Sequence, residues 1–222
     1  MKKEELSVKI DQTLLKPNAT FEELENFINE NKDNGFYSLC VPSFFVSKAV
    51  ELVGKNEKIS TVIGFPHGNS STDTKVFEAT QAVRNGAKCV DVVINLSAVK
   101  SGDYDYVKNE LENLRYSVDL YGECELRIII ETCLLTDEEK TSLAKLIKET
   151  KCDVVKTSTG FSNYGATAED VVLLKTVVND EIKIKASGGI RDIETALAMF
   201  VAGADLIGTS AGKKLLASCE NE

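Results

Sequence analysis

The stretch Ile182-Lys183-Ile184-Lys185-Ala186-Ser187-Gly188-Gly189-Ile190-Arg191, with the spacing that follows it, decides how this chain folds. A short apolar strand over 182–187 carries a lysine near its end and runs into two glycines. Apolar residues then recur at helical intervals (Ile193, Ala196, Leu197, Phe200, Val201), so a helix over 191–202 has one stripe to bury against a sheet. Ala202-Gly203 ends that helix and leads directly into a second strand over 204–208. Glycine suits such an exit because it adopts the left-handed C-cap conformation without a Cβ clash.

The same unit recurs along the whole chain. Strand-like segments fall near 10–14, 36–41, 59–64, 88–95, 124–131, 152–157, 182–187 and 204–208. Helix-like segments fall near 20–34, 43–54, 72–86, 104–122, 136–150, 167–179, 191–202 and 209–218. Thr20 with Glu23, and Thr136 with Glu139, have capping-box spacing. Asn34-Gly35 and Asn85-Gly86 repeat the helix–glycine–strand exit. Eight β–α units in 222 residues predict a closed (β/α)8 TIM barrel, α/β in class, with a short extra N-terminal helix within residues 1–9. An open doubly wound sheet is the alternative, but no GxGxxG follows the first strand. With 43% hydrophobic residues and no linker or low-complexity tract, residues 1–222 are expected to form one domain.

Charge and cysteine usage narrow the function classes. The 35 acidic and 26 basic side chains give a formal charge of -9, with no basic cluster to suit a nucleic acid or an anionic membrane. No apolar run is long enough to span a bilayer and no signal-peptide pattern is present. The six cysteines (Cys40, Cys89, Cys124, Cys133, Cys152, Cys219) are scattered without a CxxC pair, as buried free thiols are. A reduced, cytoplasmic protein is expected.

Several strand residues are ones that an interior with no task would not choose. Strand alternation sends Lys185, and Lys183 behind it, toward the barrel axis or a rim. It puts Arg127, Ile129 and Glu131 on one axial face, with Arg127–Glu131 a candidate structural ion pair, and places Asp91 with Asn95. Burying such charges unpaired costs several kcal/mol each. The second informative stretch, Val154-Val155-Lys156-Thr157-Ser158-Thr159-Gly160, likewise ends an apolar strand in a lysine followed by small residues. Two lysines converging on one pocket suit Schiff-base chemistry. A neighbouring cation and partial desolvation both favour the neutral amine that attacks a carbonyl. The iminium so formed draws electrons from the adjacent carbon, while a carboxylate such as Asp91, with water, moves protons. This chemistry needs no metal and no cofactor, and the one histidine, His67, cannot supply a zinc ligand cluster, although it could line the mouth. Gly188-Gly189 before the helix at Arg191, and Gly208-Thr209-Ser210 before the last helix, are candidate phosphate loops after strands seven and eight.

These residues together resemble the deoxyribose-phosphate aldolase family of class I aldolases. The resemblance rests on Ile10-Asp11-Gln12-Thr13-Leu14-Leu15-Lys16-Pro17, Gly64-Phe65-Pro66-His67-Gly68, Val90-Asp91-Val92-Val93-Ile94-Asn95 and Ile129-Ile130-Glu131-Thr132. It continues through Val155-Lys156-Thr157-Ser158-Thr159-Gly160-Phe161, Lys185-Ala186-Ser187-Gly188-Gly189-Ile190-Arg191 and Ile207-Gly208-Thr209-Ser210. It implies reversible cleavage of 2-deoxy-D-ribose 5-phosphate to D-glyceraldehyde 3-phosphate and acetaldehyde. By motif match, Lys156 resembles the Schiff-base lysine, Lys185 the lysine that perturbs it, and Asp91 the relay carboxylate. Gly188, Gly189, Gly208, Thr209 and Ser210 resemble phosphate ligands, with Thr159 and Gly160 beside them and Thr13 and Cys40 on the pocket wall. A homodimer or other homo-oligomer is implied by the same analogy.

Three departures from the family pattern stand out. Gln12 occupies a position that is often histidine, flanking the catalytic set. The last loop reads Thr209-Ser210-Ala211 where paired serines are common. The sequence runs to Glu222 without the C-terminal tyrosine that some members bring to the active site, which bears on the rate of proton transfer. Rival readings are another Schiff-base sugar-phosphate aldolase or transaldolase-like barrel, a phosphate-binding barrel without catalysis, and a metal-dependent aldolase.

Overall fold

The computed structural model describes residues 1–54 and 57–219. Eight parallel strands close in sequence order into a barrel: β1 (Ile10–Thr13), β2 (Ser38–Val41), β3 (Ile59–Ile63), β4 (Cys89–Val93), β5 (Glu125–Ile129), β6 (Val154–Lys156), β7 (Lys183–Ser187) and β8 (Leu206–Thr209). Around them run α1 (Lys3–Ser7), α2 (Phe21–Asn31), α3 (Val46–Val53), α4 (Thr72–Arg84), α5 (Leu96–Lys100), α6 (Tyr104–Asp119), α7 (Asp137–Glu149), α8 (Ala168–Val178), α9 (Ile193–Ala202) and α10 (Gly212–Ala217). The expected barrel and the extra N-terminal helix are both present. The expectation about the C-terminus concerns residues 220–222, which lie outside the described residues.

Local chemistry sets the helix ends. The Thr20 hydroxyl accepts from the Glu23 amide at 3.2 Å while the Glu23 carboxylate accepts from the Thr20 amide at 2.8 Å. Thr136 and Glu139 repeat the exchange at 3.3 and 2.8 Å. Each box satisfies donors that the first helical turn leaves without partners. At the other end of α9, Gly203 takes φ 111°, and its amide returns to the Met199 and Phe200 carbonyls.

Alternation along the strands divides the interior into two layers. Val90, Val92, Leu126, Ile128, Ile130, Val155, Ile184, Ala186 and Ile207 face the helices and join one continuous apolar cluster. The intervening residues face the axis, and there the charges collect.

Two features depart from the sequence reading. Strand β4 stops at Val93 and Asn95 caps the unanticipated α5, its Oδ1 accepting from the Ala98 amide at 3.2 Å. Asn95 is therefore a cap rather than a companion of Asp91. Helix α9 begins at Ile193 rather than Arg191, because the Asp192 carboxylate accepts from the Thr195 amide at 2.8 Å.

Candidate active site

Lys156 ends β6 and pairs in register with Lys185 on β7, so the two side chains point side by side to the axis. The ends of these strands are locked together: the Thr157 hydroxyl donates to the Ser187 carbonyl at 3.3 Å and accepts from its amide at 3.1 Å. Asp91, on β4 across the barrel, accepts from Lys156 Nζ at 2.6 Å and from Lys185 Nζ at 2.7 Å through the same oxygen, Oδ2. Lys156 is 4% exposed, Lys185 1% and Asp91 0%. Of the three residues singled out in the sequence, the two lysines thus converge on the carboxylate of the third.

Beneath them lies a second layer that sequence reasoning did not assign. Asp11 on β1 accepts from Lys185 Nζ, from Arg127 Nη1 at 2.9 Å, and from the Ser38 and Ser60 hydroxyls at 2.8 and 2.9 Å. Arg127 also reaches Asp91 Oδ1 at 3.3 Å and Glu125 at 2.8 Å. Its expected partner Glu131 is instead occupied above, accepting from the Thr159 amide at 3.2 Å and from the Thr159 hydroxyl. Strand parity placed Arg127 on the correct face, but the stagger of the barrel brings it to Asp11 and Asp91. Lys183, one step down β7, lies at the opposite rim near the Tyr37 hydroxyl (3.2 Å) and Glu125 (3.5 Å).

Burial and pairing compete at each charge. Burial alone would raise the Asp91 carboxyl, yet Lys156, Lys185 and Arg127 outweigh it and hold the group well below the usual carboxylate range. Burial alone would lower the Lys185 ammonium, yet Asp11 and Asp91 outweigh that and raise it. Lys185 is thereby a permanent cation at neutral pH and Asp91 a permanent anion.

The mouth above is a cavity of about 440 Å³. Lys156 and Ser187 lie on its floor. Its walls come from Thr13 to Pro17 at the end of β1, Thr159 to Phe161 after β6, Gly188 to Arg191 after β7, and Gly208 to Ser210 at the end of β8. The loops after β6 and β7 touch: a Cβ on Gly165 would stand 2.1 Å from the Gly188 carbonyl oxygen. Cys40 and His67 do not line this cavity. Cys40 is buried on the axis, where burial first, and then Asp11 and Asp91, push its thiol up to about 12. His67 is exposed. A larger cavity of about 1300 Å³ opens at the opposite end, lined by charges such as Arg115, Asp153, Lys175 and Lys183. Lys156 lines the smaller one, with Lys185 buried beneath it.

Several hydroxyls matched to ligand positions are already engaged. Thr209 Oγ1 donates to the Ile190 carbonyl at 2.6 Å and accepts from the Ala211 amide at 2.9 Å, tying the β7 and β8 loops together. Thr159 is held by Glu131, and Thr13 Oγ1 donates to the Asp11 carbonyl at 3.0 Å. Gln12 accepts from the Gly212 amide at 2.9 Å, so it anchors the start of α10 beside the site. Ser187, which no sequence argument singled out, lines the cavity with its buried hydroxyl unpartnered.

A closed parallel barrel with a lysine–carboxylate cluster beneath a glycine-lined mouth has the arrangement of barrel enzymes, which keep their active sites at the C-terminal ends of the strands. Residues 6–218 match the family described as DeoC/LacD family aldolase, and the chain belongs to that family. It is 51% identical over 208 residues to the deoxyribose-phosphate aldolase of Thermoanaerobacter sp. (strain X514), covering 93% of each chain. A solved structure titled "QR15, an Aldolase" superposes with a TM-score of 0.91 at 42% identity, over 96% of this chain and 94% of that one. The deoxyribose phosphate aldolase from Aeropyrum pernix, whose tetrameric structure is described as unique, superposes with a TM-score of 0.89 at 33% identity, over 98% of this chain and 92% of that one.

Proposed function

We propose that this aldolase reversibly cleaves 2-deoxy-D-ribose 5-phosphate to D-glyceraldehyde 3-phosphate and acetaldehyde through a Schiff base on Lys156. The observation that carries the reading is the single Asp91 oxygen lying 2.6 Å from Lys156 Nζ and 2.7 Å from Lys185 Nζ at the floor of the mouth. The curated relatives that bear the name of this activity support the substrate.

The Lys156 amine, once neutral, attacks the C1 aldehyde of the open-chain sugar, and loss of water leaves an iminium. The C3 hydroxyl gives up its proton, the C2–C3 pair flows into the iminium, and D-glyceraldehyde 3-phosphate departs. The enamine left behind is protonated at C2. Water then hydrolyses the resulting iminium, freeing acetaldehyde and the amine. Lys185, kept charged, and Asp91, kept ionised, form the relay with water that takes up and returns the proton. Gly188, Gly189, Gly208 and Ser210 offer the phosphate exposed backbone in loops where a barrel of this type holds anions. In this reading Thr159, Gly160 and Thr209 hold the loop shapes, Thr13 forms wall, and Cys40 supports the lysines from below.

Borohydride trapping with deoxyribose 5-phosphate, followed by intact mass and peptide mapping, tests the proposal. A stable adduct on Lys156, absent together with turnover in Lys156→Leu, is the expected result. An adduct formed only with ketose phosphates would favour a transaldolase-like enzyme instead. The same reading extends to a homo-oligomer working in the cytoplasm, and light scattering on the purified protein measures the assembly.

A further inference from the structure

The charges on the barrel axis do not end at the lysines. Arg127, fully buried in β5, has five N–H donors. Its Nε donates to Glu125 Oε1 at 2.8 Å, while Nη1 reaches Asp11 at 2.9 Å and Asp91 Oδ1 at 3.3 Å. Among the described residues Nη2 has no acceptor, a costly state for a buried donor. One nearby acceptor is equally underused. Asp91 Oδ2 takes both lysines, whereas Oδ1 takes, among the described residues, only the long bond from Arg127. Nη2 and Asp91 Oδ1 would satisfy one another, yet they do not meet. Glu125, two residues before Arg127 on β5, holds the guanidinium at Nε while the two aspartates hold Nη1. Glu125 is itself fixed, because its Oε2 accepts from the Tyr37 hydroxyl, which accepts in turn from Lys183 Nζ at 3.2 Å. The Tyr37 ring packs against the guanidinium, its centroid 5.3 Å from Cζ. Burial opposes ionisation of Glu125, but Arg127 and the Tyr37 hydroxyl outweigh it and hold the carboxyl below its ordinary value.

We propose that Glu125 is a positioning residue for the reaction: it tethers Arg127 toward the N-terminal rim and so leaves Asp91 to the two lysines. The inference rests on the Schiff-base reading above, in which Asp91 and water move the proton. Without the tether, Arg127 pivots toward the mouth and sets Nη2 on Asp91 Oδ1. A carboxylate held by two guanidinium donors is bound strongly and in a fixed geometry. Asp91 would then be oriented by arginine rather than by Lys156 and Lys185. Lys156 attacks as a neutral amine and needs that carboxylate less than the relay does.

The test uses Glu125→Gln, which keeps the shape and drops the charge, and Glu125→Leu, which removes the acceptor as well. Turnover of deoxyribose 5-phosphate and borohydride trapping of acetaldehyde on Lys156 are measured side by side, with the thermal midpoint of each protein. A misplacement of about 1 Å at a reacting group costs up to about a hundredfold. Turnover is therefore expected to fall about tenfold in Glu125→Gln and further in Glu125→Leu, with trapping within about threefold of native. A crystal structure of Glu125→Gln is expected to show Arg127 Nη2 within hydrogen-bond distance of Asp91. Equal losses of turnover and trapping, or no loss in either variant, overturn the proposal, as does an Arg127 that stays in place in the crystal. Failure of the native protein to trap acetaldehyde would instead sink the Schiff-base reading, and the crystal structure would still decide whether Glu125 holds Arg127 back.

Discussion

Replacing Asp11 by asparagine isolates the layer beneath the lysines. The substitution keeps the shape and removes one negative charge from a site holding Lys156, Lys185 and Arg127 against Asp11 and Asp91. Asp11 accepts four bonds, from two serine hydroxyls, a guanidinium and an ammonium. An asparagine can accept on one side only, so its amide NH2 must face donors. Breaking a buried ion pair by removing one partner costs about 3–5 kcal/mol. At roughly 2–4 °C per kcal/mol for a chain of this size, the thermal midpoint at pH 7 should fall by about 6–20 °C. The pH dependence supplies an independent check. Lys185 is raised above its ordinary value of 10.5, so its contribution to stability is full below that value and is lost as pH rises through the raised one. Without Asp11 that loss begins at lower pH, so the stability gap between native and variant narrows as pH rises through the alkaline range past 10.5. The assay is urea or thermal unfolding followed by circular dichroism across that range. A variant within about 1 kcal/mol of native at every pH, below the cost of any broken buried pair, would refute the assignment.

Two further predictions concern groups away from the mouth. Lys75 and Glu110 form a fully buried pair that joins α4 to α6, with Lys75 also donating to the Val93 carbonyl at 2.8 Å. Burial dominates both shifts, lowering the lysine and raising the carboxyl. Glu110→Gln should cost about 3–5 kcal/mol, whereas Lys75→Met combined with Glu110→Leu should recover most of it; chemical denaturation of the three proteins checks this. Burial pushes the Cys40, Cys89 and Cys124 thiols up to about 12 and Cys152 to about 11, so none is a thiolate at neutral pH. Iodoacetamide on the folded protein should label Cys133 and Cys219 at least tenfold faster than these four, as read by peptide mass mapping, in line with the thiolate dependence of alkylation.

What the sequence revealed and what it hid follow from the range of the interactions involved. Strand and helix periodicity, capping boxes and glycine exits are local, so the eight β–α units were readable one at a time. The converging Lys156, Lys185 and Asp91 were readable because each is a charge in an apolar strand. Asp11 sits in an equally short strand and went unassigned, because its meaning comes from Ser38, Ser60, Arg127 and Lys185 on four other strands. Arg127 shows the same boundary from the other side: alternation gave its face, but barrel stagger chose Asp11 and Asp91 over Glu131. The Thr209 hydroxyl matched a ligand position by motif, and only the packing of two loops commits it to Ile190 and Ala211. Helix α5 is five residues long, too short to carry a periodic signal.

The charge count gives a physical reason for placing the proposed nucleophile at Lys156 rather than Lys185. Three cations and two carboxylates share the axis, with Glu125 a third carboxylate where Arg127 reaches the lower rim. Lys185 is gripped by both Asp11 and Asp91, so releasing its proton would leave two buried carboxylates facing one fewer cation. Lys156 touches Asp91 alone and borders the cavity. Its proton is the one whose loss leaves Lys185 and Arg127 matched to Asp11 and Asp91. Formation of the iminium then returns a positive charge to the same nitrogen, 2.6 Å from an oxygen already oriented by Lys185. A preorganised carboxylate of this kind stabilises the charged intermediate more than the neutral amine, which is the sense required for catalysis. Lys185 in turn keeps its proton because two carboxylates hold it, so in this reading the proton moves to and from C2 through water at Asp91, and Lys185 fixes the position of that carboxylate. On this argument an Asp91→Asn variant should still form the trapped adduct, slowly, but should lose turnover far more than trapping. Equal loss of both would mean that Asp91 serves attack by Lys156 rather than the relay.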